Sequence, residues 1–351
     1  MAHELVSLVK KNASIDWTRK ASVQAKLRLL VKKLLARYGY PPDAAKLAID
    51  TMLQQAEKLG INVTDSIPPD DASPDGDGGS RPPREFPYPI AVFDSLVKTQ
   101  LESSERVNTY LGAIERAVVL VTASSLAWLR REGGELPAGA VALLEQAGGK
   151  RISMGAWVEL CWQVAALLPA NANHAVVKVA RRFVTDKGKP SDLTKLLQHE
   201  VVPYRNDKGH TVGIPEEAFA EREIEFRKHW ETLKTALSPL KQLHLFVRAQ
   251  LKDFDAQGGI YNVRSLTGSN EHFPIEEVRV AGRLQEHWAY FGSADDPVPL
   301  PLAPMFRFNY RAELGKRELL VPRTLELNAG KKIELCQLIG ADTFKHDVPA
   351  V

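Results

Sequence analysis

The chain of 351 residues is long enough for two domains of ordinary size, or for one domain with appendages. An apolar content of 44% with 25% charged residues is typical of a soluble globular protein and excludes global disorder. The net charge of +3 is too small to mark the whole molecule as a nucleic-acid-binding protein. We find no apolar run that approaches a bilayer span and no secretory signal, so we expect a cytoplasmic protein with no membrane partner.

The amphipathic N-terminal region, residues 1–62, predicts a helical hairpin. Apolar residues share one helical face between Thr18 and Tyr38, and Pro41 and Pro42 open a second helix with its own apolar stripe. The basic residues of the first helix fall largely on its remaining surface: Lys20, Lys26, Arg28, Lys32, Lys33 and Arg37. These side chains either neutralise phosphates of DNA or RNA, or simply keep the helix soluble.

A clear boundary comes next, because residues 67–84 concentrate Pro, Asp, Gly and Ser with almost no apolar residue after Ile67. Such a segment cannot bury enough surface to order itself, so we predict a flexible linker over residues 63–85.

Beyond the linker, the apolar pattern changes period near Pro239. Residues 86–239 show helical spacing throughout and predict an all-α bundle. One long helix is marked by a stripe of apolar residues: Val107, Leu111, Ile114, Val118 and Val121. A further helix is predicted to start after Ser153, and the last to run from Pro215 to Leu237 with the proline in its first turn. Residues 240–351 show short apolar runs punctuated by Gly and Pro, which predict a small, mostly antiparallel β unit. The expected fold class is therefore mainly α with a C-terminal β unit, a multidomain α+β chain of hairpin, linker, bundle and β domain.

Candidate chemistry concentrates between two predicted helices of the bundle, in the run from Arg205 to His210. An imidazole that titrates near neutrality can accept a proton, and a guanidinium presents a fixed fork of donors to phosphoryl oxygens. Asn206 can orient the histidine or the substrate, and Lys208 adds positive potential. The alternative is a structural role, in which Arg205 and His210 cap carbonyls or pair with nearby carboxylates: Glu200, Asp207 or Glu216.

The remaining polar residues predict no further site. Cys161 and Cys336 lie far apart in apolar surroundings, so we expect two buried core thiols, no metal and no cofactor. The carboxylates of residues 216–225 alternate with Arg and Lys, which is typical of a salt-bridged helix surface. Four histidines lack a partner at metal or triad spacing and are expected to be surface or satisfied residues: His174, His199, His229 and His287.

About the first sixty residues resemble the C-terminal helical segment of type I restriction enzyme R (endonuclease) subunits. The resemblance rests on the order and spacing of one set of residues: Asn12, Ile15-Asp16-Trp17, Ala25-Lys26-Leu27-Arg28, Lys32, Leu34-Leu35 and Tyr38-Gly39-Tyr40-Pro41-Pro42-Asp43. In that family the segment joins the motor-nuclease subunit to the methyltransferase core, which implies a docking role on a type I restriction-modification complex. The chain carries no Gly-rich Lys-Ser/Thr phosphate loop, so we expect no DNA translocation.

Residues 86–351 resemble HEPN-domain defence proteins with a β-rich tail. Arg205-Asn206 followed by His210 fits the Arg-Asn-x-x-x-His pattern of that superfamily, and Phe86-Pro87-Tyr88-Pro89-Ile90 and Ser153-Met154-Gly155-Ala156-Trp157 precede helices as they do there. Gly209 and Thr211 depart from the residues usual beside the histidine. The resemblance implies metal-independent endoribonuclease activity with Arg205, Asn206 and His210 as catalytic residues, and a homodimer formed through the bundle.

Three interpretations of the motif stay open: an active ribonuclease, a HEPN module that binds the restriction complex or nucleic acid without cutting, and a purely structural site. The fusion to the restriction-like hairpin favours an effector attached to type I restriction. A fragment left from a larger R subunit is a further alternative.

Overall fold

The computed structural model describes residues 85–136, 138–147, 152–207, 216–269, 273–293, 296–311, 316–326, 332–338 and 343–347. The chain divides into two units, Met1–Gly78 and Gly79–Val351. The predicted hairpin lies outside the described residues, as does the predicted linker apart from Glu85. All the described helices and strands belong to the second unit.

Eight α-helices are described in the first part of this unit. They are α1 (Tyr88–Thr99), α2 (Ser103–Arg131), α3 (Ala138–Ala147), α4 (Met154–Leu167), α5 (Ala175–Ala180), α6 (Asp192–Leu196), α7 (Val202–Asp207) and α8 (Glu216–Leu237). A π-helical turn, Leu197–Val201, joins α6 to α7, and 3₁₀ turns follow α5 and α8.

The long helix α2 is the centre of the bundle, and α1, α4, α5 and α8 pack around it. Its predicted stripe is confirmed, because Val107, Leu111 and Val118 are all buried. The helix ends where Gly133 takes a φ of 72°, a conformation that favours glycine. By length and composition α2 could span a bilayer, contrary to the sequence analysis, but it is mostly buried inside the protein. Burial on most sides makes α2 a core helix.

The predicted start of α4 after Ser153 is also confirmed. The Ser153 side chain accepts a hydrogen bond from the backbone N–H of Ala156 and caps α4. The described part of helix α8 begins at Glu216, and Pro215, the residue predicted to open it, lies outside the described residues.

Nine described strands form two antiparallel sheets. The strands are β1 (His244–Asp255), β2 (Gly258–Ser265), β3 (Ile275–Val280), β4 (Ala289–Ser293), β5 (Asp296–Pro301), β6 (Arg307–Arg311), β7 (Lys316–Glu326), β8 (Lys332–Gln337) and β9 (Thr343–Asp347). The first sheet has the order β3-β2-β1-β4-β5 and the second the order β6-β7-β8-β9. The α+β fold class predicted from the change of period is therefore confirmed.

One hydrophobic core runs through both the bundle and the strands. Leu245, Val247 and Phe291 of the first sheet belong to the same buried cluster as Val118 of α2. The opposite face of that sheet has a smaller core of its own, built around Phe246 and other buried residues: Tyr261, Val263, Val280, Leu284 and Tyr290. The first sheet thus shares the core of the bundle.

Candidate functional site: the end of helix α7

The motif helix is built from three consecutive pieces, α6, the π-helical turn and α7, which together run from Asp192 to Asp207. The Ser191 side chain begins it by accepting a hydrogen bond from the N–H of Thr194. Thr194 is itself buried and donates to the carbonyl of Phe183 at 2.6 Å. These bonds anchor the start of the helix, so that Arg205 and Asn206 are presented by its last turn.

Arg205 lies against the core helix α2. Its Nη2 is 3.5 Å from Oε2 of Glu115, and the exposed fractions of the two side chains are 29% and 8%. A carboxylate this buried is costly without a compensating charge, which Arg205 supplies. Glu115 of α2, which lies far from Arg205 in sequence, is therefore a pairing partner that the sequence analysis did not consider.

The side chain of Asn206 is exposed. The first two residues of the motif are thus consecutive in the last turn of α7. The guanidinium of Arg205 contacts Glu115 of the core helix, and Asn206 is exposed. His210 and Lys208 lie outside the described residues, as do the six basic residues predicted on the N-terminal helix.

Tyr204 connects the end of α7 to α8. Its ring lies 4.8 Å from the ring of Phe226, and the guanidinium of Arg222 lies over it at 5.6 Å from the centroid. Burial raises the pKa of the Tyr204 phenol, and the nearby Arg222 opposes that shift. These contacts hold together the two helices that flank the motif.

A second group of polar side chains lies between the same helices and was missed by the sequence analysis. Glu200, Glu225 and His229 bring three potential ligand atoms within 4.8 Å of one another. The expectation that His229 lacks a partner at metal spacing is wrong, because its Nε2 is 3.2 Å from Oε2 of Glu200 and 3.7 Å from Oε1 of Glu225. The Glu225–His229 spacing of one helical turn was a visible signal, but Glu200 joins them only through the packing of α8 on the motif helix.

The other predicted residues behave as expected where the structure describes them. Cys161 is a buried free thiol, and its burial raises its pKa to about 12. His174 caps α5 by accepting a hydrogen bond from the N–H of Val176, and His199 is exposed. The side chain of Cys336 lies outside the described part of the chain.

Comparison with known proteins gives a relationship for the N-terminal segment. Residues 1–61 match the family described as "Type I restriction enzyme HindI endonuclease subunit-like, C-terminal". The type I restriction enzyme HindI endonuclease subunit of Haemophilus influenzae is 38% identical over 64 residues. That match covers 18% of this chain and 6% of the relative, so the chain corresponds to a small part of that protein's length.

No solved structure matches the chain. The resemblance of residues 86–239 to HEPN domains therefore stays a prediction that rests on the motif and its helical setting. Residues 1–61, in contrast, are related to the C-terminal region of type I restriction endonuclease subunits.

Proposed function

We propose that the protein is a type I restriction-associated defence effector. The relationship of residues 1–61 to a restriction endonuclease subunit is the observation that carries this association. The N-terminal segment docks on the restriction-modification complex or on its DNA, and its basic residues supply the charge for such a contact. The second unit, which has no counterpart in that match, supplies a separate activity.

The activity that fits the motif is metal-independent cleavage of RNA. His210 takes the proton of a ribose 2′-hydroxyl, and the 2′-oxygen attacks the adjacent phosphorus as the bond from phosphorus to the 5′-oxygen breaks. The products are a 2′,3′-cyclic phosphate and a 5′-hydroxyl, which takes up a proton. Arg205 neutralises the charge that grows on the phosphoryl oxygens, and Asn206 orients the histidine or the strand.

The geometry of Arg205 supports this role. One of its terminal nitrogens faces Glu115, while about a third of the side chain stays exposed. A buried carboxylate that holds a guanidinium in one orientation preorganises the remaining donors for an oxyanion. Asn206, the next residue of the chain, is exposed and can reach a bound strand. Helix α8 is described from Glu216, a few residues after the motif. In the proposed homodimer two such motifs face each other across the bundle interface.

Incubation of the purified full chain with total or transfer RNA in EDTA tests the activity. We expect nicking that yields cyclic phosphate ends. His210→Ala should abolish the nicking. The control is His199→Ala, which replaces an exposed histidine of the π-helical turn before α7 and should leave the nicking unchanged. Light scattering on both variants should report the same dimer. Equal nicking by wild type and His210→Ala would refute the assignment.

The second candidate is a non-catalytic adaptor that binds the restriction-modification complex or nucleic acid. The Arg205–Glu115 contact favours it, because a paired guanidinium carries less net charge toward a phosphate. An adaptor would bind the methyltransferase core with normal affinity and leave RNA intact under every activating condition. Reversing the charge of Lys26 and Lys33 should weaken that binding, whereas His210→Ala should not.

A further inference from the structure

The cluster of Glu200, Glu225 and His229 lies between the two helices that flank the motif. Glu200 comes from the π-helical turn before α7, and the other two residues come from consecutive turns of α8. π-Helical turns are rare and occur often at functional sites, where the extra residue redirects a side chain. Here the turn carries the one carboxylate that meets His229 from the opposite helix.

The ring nitrogen Nε2 of His229 is the observation that points to a ligand. His229 is 5% exposed, and its Nε2 is shielded from solvent without a hydrogen-bond partner among the described residues. The oxygens of Glu200 and Glu225 approach it, at 3.2 and 3.7 Å, but neither contact has the geometry of a hydrogen bond. Leaving a buried polar atom without a partner is energetically unfavourable. A cation bound to Nε2 and to both carboxylates would remove that cost.

The two distances from Nε2 suit a tetrahedral Zn²⁺ site. Bond lengths of about 2.0–2.2 Å to nitrogen and oxygen place two tetrahedral ligands roughly 3.3–3.6 Å apart. Both distances from Nε2 lie close to that separation. One imidazole and two carboxylates leave a fourth position for water, and such a mixed set binds Zn²⁺ more tightly than Mn²⁺. Mg²⁺ is disfavoured because it prefers oxygen ligands.

The surroundings orient the ligands and leave a path for the ion. Arg222 donates from Nη1 to Oε2 of Glu225 at 2.7 Å, which leaves Oε1 to face His229. Phe226 packs edge-on against the imidazole with 5.7 Å between ring centroids. The side chains of Glu200 and Glu225 are 50% and 37% exposed, so an ion can reach the buried nitrogen from solvent.

We propose that Glu200, Glu225 and His229 form a Zn²⁺ site that joins the helix carrying Arg205 to helix α8. The bound ion neutralises two carboxylates that face one imidazole. This site goes beyond the proposed function, because the proposed cleavage of RNA uses no metal.

Zn²⁺ binding to the full chain, stripped of metal and dialysed, tests the proposal by competition with a chromophoric chelator. We expect one equivalent of Zn²⁺ to bind at this site and to raise the melting temperature. Glu200→Gln and His229→Gln should each lower the affinity of that equivalent at least tenfold and abolish the melting shift. Glu221→Gln, an exposed carboxylate on the same helix, is the matched control and should bind like wild type. Co²⁺ should give the visible absorption of a tetrahedral complex.

Three results would overturn the proposal. They are the absence of a bound equivalent, equal affinity in wild type and Glu200→Gln, and binding of Mn²⁺ with no binding of Zn²⁺. The half-exposed Glu200 is the decisive position, since its isosteric replacement leaves the core intact even if His229→Gln unfolds the protein. The measurement uses no RNA, so its failure is separate from a failure of the ribonuclease proposal.

Discussion

The contact between Arg205 and Glu115 gives the most direct test of how the motif is held. Replacing Arg205 by Ala removes a guanidinium that faces a carboxylate with only 8% side-chain exposure. Removal of one member of a fully buried pair costs about 3–5 kcal/mol, and pairs on the surface contribute about 0–1 kcal/mol. Arg205 is about one third exposed, so the pair lies between these limits, and we expect Arg205→Ala to lower the free energy of unfolding by about 2 kcal/mol.

Glu115→Gln removes the charge and keeps the shape. The guanidinium it leaves behind can be hydrated, so we expect a smaller loss, about 1 kcal/mol. Urea unfolding of the two single variants and the double variant gives the coupling energy, which we expect near 1 kcal/mol. A coupling below about 0.3 kcal/mol would show that the contact behaves as a surface pair and would refute the claim that Glu115 positions Arg205. If RNA is cut, Arg205→Ala should abolish cleavage, and Glu115→Gln should reduce it without abolishing it.

Three further outcomes are expected. In a Cys336→Ser background the one remaining thiol, Cys161, should resist maleimide labelling at pH 8 until urea unfolds the chain, since burial raises its pKa to about 12; labelling of the native protein would contradict its place in the core. Burial lowers the pKa of His244 below its ordinary value, so the stability that the neutral ring provides is present above the unfolded pKa and is lost as pH falls through the folded one; the decline in stability from pH 7 to 5 should flatten in His244→Gln. Asp94→Ala removes the acceptor 2.7 Å from Nε1 of the buried Trp230 and should cost about 1–3 kcal/mol in urea unfolding, whereas a loss below about 0.5 kcal/mol would show that this bond is dispensable.

Periodicity predicted the long helices correctly because their buried faces appear in the sequence as apolar residues at regular helical spacing. The stripe of α2 and the cap of α4 at Ser153 are local signals, and both helices form where the pattern indicates. Strand β5 was missed since Pro297, Pro299 and Pro301 interrupt it, and a pattern with proline favours a loop. Helix α3 was missed since its apolar residues form no narrow stripe.

The candidate site divides in the same way. Arg205 and Asn206 were found from their order along the chain, and the helix end that presents them follows from local sequence. The partner of Arg205 could not be predicted from the order of residues, because Glu115 lies on α2 and its buried position depends on how α2 packs in the core. The burial of His229 and its approach to Glu200 likewise depend on the packing of α8 against the π-helical turn.

The sequence alone therefore determined the α+β class, most element positions, the relationship of the N-terminal segment and the residues of the motif. These depend on short-range spacing and on matching order, which one chain displays directly. Only the tertiary structure decided which carboxylate holds Arg205, that the bundle and the strands share one core, and that an imidazole faces two glutamates between the helices that flank the motif. Such contacts join residues far apart in sequence, and their energies depend on burial, which arises only when the elements pack.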